Sequence, residues 1–155
     1  MELARNLKVD SVSRLQPTPP LRIDPEQTVA DAVVLMRERR VGCLLVCRGD
    51  RLLGVFTERD LMRRVLAAGL PLTTPVAACM TPDPVVVRPK EPIGAAIRRM
   101  EEGGYRHLPV LDETGGPVGV LSVKRIVHYL AEHFPATVCN QPPDPASFPT
   151  EAEGA

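Results

Sequence analysis

The chain has 155 residues, with 19 Lys and Arg against 19 Asp and Glu, 44% hydrophobic and 25% charged. That length suits one compact domain or two small ones sharing a core, and the composition excludes a wholly disordered chain. Zero net charge, 3% aromatics and the lack of Trp argue against a phosphate-backbone or base-stacking surface, so no nucleic-acid partner is expected. No apolar run approaches the ~18 residues that mark a membrane span. Met1–Val12 alternates charges where a secretory signal needs an apolar core. Cys43, Cys47, Cys79 and Cys139 form no C-x-x-C pair or dense framework, which predicts free, mostly buried thiols, no metal and a reducing, cytoplasmic setting.

In chain order, Leu21–Ile23 before Pro25 reads as an extended lead-in. In Val29–Val46, Val29, Ala32, Val33 and Met36 recur at i, i+3, i+4 and i+7, the stripe of a helix buried on one face. It runs into an apolar strand, Cys43–Cys47, then the turn Arg48–Arg51, a second strand and a helix over Leu53–Leu61. Leu66–Cys79, with Gly69, Pro71, Thr73, Thr74 and Pro75, reads as a linker. The series then repeats: Val85–Val87 before Pro89, the stripe Ile93, Ala96, Ile97 and Met100, the strand His107–Leu111, the turn Asp112–Pro117, and Val118–Ile126. The first helices match at an offset of 64 and the closing strands at 65, the extra residue falling in a turn.

Agreement over five elements predicts an internal duplication of an α/β (α+β) unit: extended segment, helix, strand, strand, helix. About 60 residues bury too little surface to stand comfortably alone, so two βαββα units should pack by pseudo-twofold symmetry around a cleft. Val33, Met36, Ile97 and Met100 are expected in the core between them. The expected boundaries are 1–68 for the first unit with its lead-in, 69–79 for the linker, 80–134 for the second unit and 135–155 for a disordered, Pro-rich, acidic tail. The closing helices carry stripes of their own, Leu61/Met62/Val65 and Ile126/Val127/Leu130, which predict a homodimer through these faces.

Thr57 and Asp60 stand at the start of a helix that follows a strand. Thr-x-x-Asp there is a capping box. The same groups suit a nucleotide, because a carboxylate accepts two ribose hydroxyls and a helix start favours phosphate. Gly54 would leave room for a base against the strand. Arg106, His107 and Lys124 are chemically right for phosphate oxygens, although a solvated strand edge and an exposed first turn would also explain them. Arg37, Arg39, Arg40, Arg59, Arg63 and Arg64 read as solvated helix faces. No nucleophile–base pairing or metal spacing is legible among Cys43, His107, His128 and His133, so no catalytic residue and no enzyme activity is expected.

Three segments carry a resemblance to a known family: Met80-Thr-Pro82, Leu108-Pro-Val-Leu-Asp112, and Gly54-Val-Phe-Thr-Glu-Arg-Asp60. The last matches a Gly-hydrophobic-hydrophobic-Thr/Ser-x-x-Asp signature. With the duplication, residues 12–134 resemble the tandem cystathionine-β-synthase (CBS) domain pair, or Bateman module. The resemblance implies a regulatory module that binds AMP, ADP, ATP or a related adenosyl ligand between the units and acts on an effector protein in trans, with no cofactor required. The ligand residues it implies are Val55, Thr57, Arg59, Asp60, Thr81, Val85, Tyr105, Arg106, His107, Pro109 and Lys124. It also implies a degenerate second site, in which Ser122 is retained but Arg125 replaces the aspartate, opposite Val41 and Cys43. One competent site per chain is expected. A structural CBS pair with a vestigial ligand site is the alternative.

Overall fold

A computed structural model of the chain describes residues 2–134. The expected disordered tail, with Cys139, lies outside the described residues. The elements run α1 (Glu2–Val9), a 3-10 turn (Val12–Leu15), β1 (Arg22–Ile23), α2 (Val29–Arg39), β2 (Cys43–Arg48) and β3 (Arg51–Thr57). A short α3 (Glu58–Asp60) continues as a π-helical stretch (Leu61–Leu66), followed by a 3-10 turn (Val76–Ala78) and β4 (Thr81–Pro82). The second copy supplies α4 (Ile93–Gly103), β5 (His107–Leu111), β6 (Pro117–Ser122) and α5 (Val123–His133).

The two copies correspond pair by pair. β1 runs parallel to β2 with Ile23 opposite Val46, and Val87 bridges Val110 in the same sense. Each hairpin is antiparallel and irregular at the same place, between Val46 and Cys47 and between Val110 and Leu111. α2 begins at a capping box formed by Thr28 and Asp31 and buries Val29, Ala32 and Met36. α4 buries the equivalent Ile93, Ala96 and Met100.

The helix stripes do not meet each other. Met36 packs with Leu44, Val46 and Phe56, whereas Met100 packs with Leu108, Val110 and Leu121. The expectation that Val33, Met36, Ile97 and Met100 form the core between the units is therefore corrected: each stripe covers its own sheet. The units meet through the opposite sheet faces, where Cys43, Leu45, Cys47, Val55 and Val120 form a separate cluster. Side chains alternate across a strand, so β2 turns Leu44 and Val46 to its helix and Cys43, Leu45 and Cys47 to the other unit. Burial on both faces explains its unbroken apolar run.

The lead-in segments are exchanged. Val12 and Leu15, at 0% and 3% exposure, belong to the core of the second unit, and Thr18 bridges Val120 beside β6. Reciprocally, Val76 and Cys79 fill the core of the first unit, and β4 adds to its sheet beside β3. Each unit is thus completed by the segment that precedes the other. Of the closing-helix stripes, Val65 and Ile126 turn inward, while Met62 and Val127 stay exposed.

Candidate functional site

The turn from β3 into α3 is held by Asp60, which is 5% exposed and the buried charge among the described residues. The Thr57 N–H and hydroxyl donate to Asp60 Oδ2 at 2.9 and 3.0 Å, and the Asp60 N–H donates back to Thr57 Oγ1 at 3.3 Å. The Thr81 hydroxyl donates to Asp60 Oδ1 at 2.9 Å, with Arg64 Nε 3.4 Å from the same oxygen. Arg64 also donates to the Met80 carbonyl at 2.8 Å. The capping box therefore extends into a latch that binds β4 and its approach to the first unit.

Gly54 serves this latch. A Cβ there would lie 2.6 Å from the Thr81 carbonyl oxygen and 2.7 Å from Met80 Sδ. Its expected role as space for a base is corrected: the crossing lead-in fills that space. Gly119, its counterpart, admits the N-terminal lead-in, with Pro17 and Thr18 at 3.0 and 3.2 Å from such a Cβ.

The corresponding turn of the second unit borders an open cavity of about 940 Å³, inside the ~300–1,000 Å³ range of small-molecule sites. Ser122, Val123 and Lys124 form its second-unit wall, and Val41, Gly42, Cys43 and Glu58 face them from the first unit. Thr18, Pro19 and Leu21 cross between. Arg37 and Arg40, from the end of α2, and Arg106 add positive charge. None of Arg37, Arg40, Arg106 and Lys124 forms an ion pair among the described residues. A more open depression of about 750 Å³ lies by the hairpin turns, lined by Arg48, Asp50, Arg51, Asp83 and Thr114 among others.

At the middle of the cleft, a Cβ on Gly42 would lie 3.1 Å from Glu58 Oε1 and 3.6 Å from His107 Cε1. Burial pulls the His107 imidazole below its ordinary pKa; the Glu58 charge opposes this and Arg106 adds to it. Burial, reinforced by Asp60, pushes the Cys43 thiol up to about 12, so it stays protonated and unreactive.

The residues expected to form one site are thus distributed. Thr57, Asp60 and Thr81 come together, and Val55 pairs with Thr81 across β3 and β4. Arg106, His107 and Lys124 border the other cavity, with Ser122, Val41 and Cys43 of the expected degenerate site. Arg59 donates to the Gly104 carbonyl at 3.1 Å, next to half-exposed Tyr105, and Val85 is likewise half-exposed. Pro109 lies inside the β5–β6 hairpin opposite Val120. The Arg125 N–H donates to Ser122 Oγ at 3.4 Å, so Ser122 caps α5 as Thr57 caps α3.

Arg37 and Arg40 were legible only as a solvated helix end. One signal distinguishes Arg40: it ends α2 in the left-handed region, φ 54°, where the second copy has Gly104 at φ 68°. A non-glycine residue there carries a backbone cost of about 1 kcal/mol, and Arg40 lines the cavity.

The family described as CBS domain matches residues 12–67 and 76–132. The CBS domain-containing protein CBSCBSPB1 of Arabidopsis thaliana is 37% identical over 109 residues, 70% of this chain and 20% of its own length. The Meiotically up-regulated gene 70 protein of Schizosaccharomyces pombe is 38% identical over 105 residues, 67% of this chain. The chain spans only 20% and 14% of those two curated relatives. Among solved structures, the CBS domain protein PAE2072 of Pyrobaculum aerophilum, complexed with AMP, superposes with a TM-score of 0.71 at 26% identity, over 79% of this chain and 99% of the other. CBSX2 in complex with AMP gives 0.67 at 28% identity, over 79% and 96%. With both copies matched and the duplicated fold described above, the chain belongs to the CBS domain family as a tandem pair.

Proposed function

We propose that the protein is a regulatory module that binds an adenosine nucleotide (AMP, ADP, ATP or a related adenosyl ligand) in the cleft between its CBS units and acts on a partner protein in trans. The cavity of about 940 Å³ carries this reading: both units wall it, Met36, Val41, Val120 and Val127 give it apolar lining, and Arg37, Arg40, Arg106 and Lys124, unpaired among the described residues, line it too. An adenine needs the first two features and a phosphate the third. The AMP complexes of PAE2072 and CBSX2 support the ligand class. A binding rather than catalytic role agrees with a Cys43 thiol held near 12.

Exposed Met62 and Val127, at 63% and 55%, support a homodimer through the closing helices. Light scattering should then give twice the chain mass of 16.9 kDa. The second reading, a structural pair with a vestigial site, is favoured by Asp60, whose oxygens are already taken by Thr57, Thr81 and Arg64.

A thermal-shift panel of AMP, ADP, ATP and adenosine separates the two. A ligand present at about 100 times its Kd stabilises the native state by about 2.7 kcal/mol, a shift of several degrees. An unmoved Tm across the panel would leave the structural reading standing.

A further inference from the structure

We propose that residues 148–153 of this chain, Phe-Pro-Thr-Glu-Ala-Glu, occupy the cavity at the Ser122 turn when no nucleotide is there, so that ligand and tail compete for one cleft. The inference rests on the nucleotide reading above for its competitor, and adds a regulator that the chain itself carries. The charges are complementary. Asp144, Glu151 and Glu153 are the charged residues of 135–155, so with zero net charge on the chain the rest carries +3. Arg37, Arg40, Arg106 and Lys124 line the cavity, are exposed, and form no ion pair among the described residues. Glu58, the carboxylate on the wall, lies at the end marked by Gly42 and His107.

Phe148 precedes Glu151 and Glu153 by three and five residues, so a flat apolar ring is followed by two negative charges. A nucleotide presents the same pair of chemistries. Met36, Val41 and Val120 offer the ring an apolar lining. Helix α5 starts on the cavity wall at Val123 and Lys124 and ends at His133, with Phe134 packed against the core of the second unit. At ~1.5 Å per residue, Lys124 and Phe134 stand about 15 Å apart along the helix. A chain of the length from Phe134 to Phe148 spans roughly 45 Å when extended and about 20 Å on a random-coil average, so the cleft is within reach. Such a tether holds its segment at an effective concentration on the order of millimolar, which lets a weak contact fill the site.

Carbodiimide coupling of the full chain, which condenses a lysine amine with a carboxylate to an amide and releases water, tests the placement by peptide mass spectrometry. The chain has three lysines, Lys8, Lys90 and Lys124, all exposed. Glu151 and Glu153 should couple to Lys124 at least about fivefold more than to Lys8 or Lys90, and AMP should suppress that link. Mixing isotope-labelled with unlabelled chains separates links within a chain, the expected kind, from links between chains. In calorimetric titration, the double variant Glu151→Gln/Glu153→Gln, and separately Phe148→Ala, should tighten AMP about three- to tenfold, the factor expected if the cleft is open in about a tenth to a third of molecules. Coupling spread evenly over the three lysines, links only between chains, or an AMP affinity unchanged in both variants overturns the inference and leaves the nucleotide reading intact. A Lys124 link that forms in a protein to which AMP does not bind keeps the tail in the cleft and sinks the nucleotide reading instead.

Discussion

Asp60 distinguishes a cap from a latch. As the N3 partner of the Thr57 cap alone it would tolerate asparagine, whose amide oxygen can still accept the Thr57 N–H. In the structure one oxygen receives two donors from Thr57, and the other receives the Thr81 hydroxyl with Arg64 close by. Asp60→Asn must turn an NH2 group toward donors on one side. Urea unfolding should record a loss of about 1–3 kcal/mol. His107 gives a second prediction at this scale. Burial lowers its pKa in the folded chain, so below an unfolded value near 6.5 the unfolded chain binds more protons than the folded one. Folding stability should therefore fall as pH drops from about 6.5 toward 5. His107→Gln should flatten that part of the Tm–pH curve. At lower pH the losses pass to Glu91, whose pKa is lowered chiefly by the Arg99 guanidinium, and to Asp112, lowered chiefly by the Thr114 hydroxyl.

Among the elements, the two glycines at the crossing lead-ins are unequal. Ala at position 54 would press on backbone and sulfur at 2.6 and 2.7 Å, but at position 119 its nearest neighbours are at 3.0 and 3.2 Å. Gly54→Ala should cost about 1–3 kcal/mol and Gly119→Ala less, measured by chemical denaturation. The sequence could not foresee what fills the space at Gly54, because Thr81 and Met80 arrive there from far along the chain. Helices α2 and α4 were legible, since the period of 3.6 shows in their own residues and the same three positions are buried in both. The π-helical stretch was not. Its bonds, such as Ala67 N–H to the Met62 carbonyl at 2.9 Å, span five residues and leave no pattern in the sequence that separates them from an α-helix.

For the whole molecule, the duplication is legible in the offset, but a repeat groups segments by order along the chain and does not show their exchange. Val12 and Leu15 precede the first unit and pack in the second. Leu15→Ala should therefore cost about 2–5 kcal/mol, and hydrogen exchange should locate the loosening in α4 and β5 rather than in α2 and β2. Exchange also explains why the candidate ligand residues were assembled only in part. Thr57, Asp60 and Thr81 sit at one crossing, whereas Arg106, His107 and Lys124 face the other, next to Thr18 of the N-terminal lead-in. Arg37 and Arg40 join them only because the sheets pack face to face and bring the end of α2 to the cleft. The same packing creates the cavity on which the functional reading depends. The most direct test is a crystal structure of the protein grown with saturating AMP. Density for one nucleotide per chain, touching both units between Gly42 and Ser122 with its phosphate on the cations, is the result expected; an empty cleft, or AMP bound elsewhere, would contradict the account.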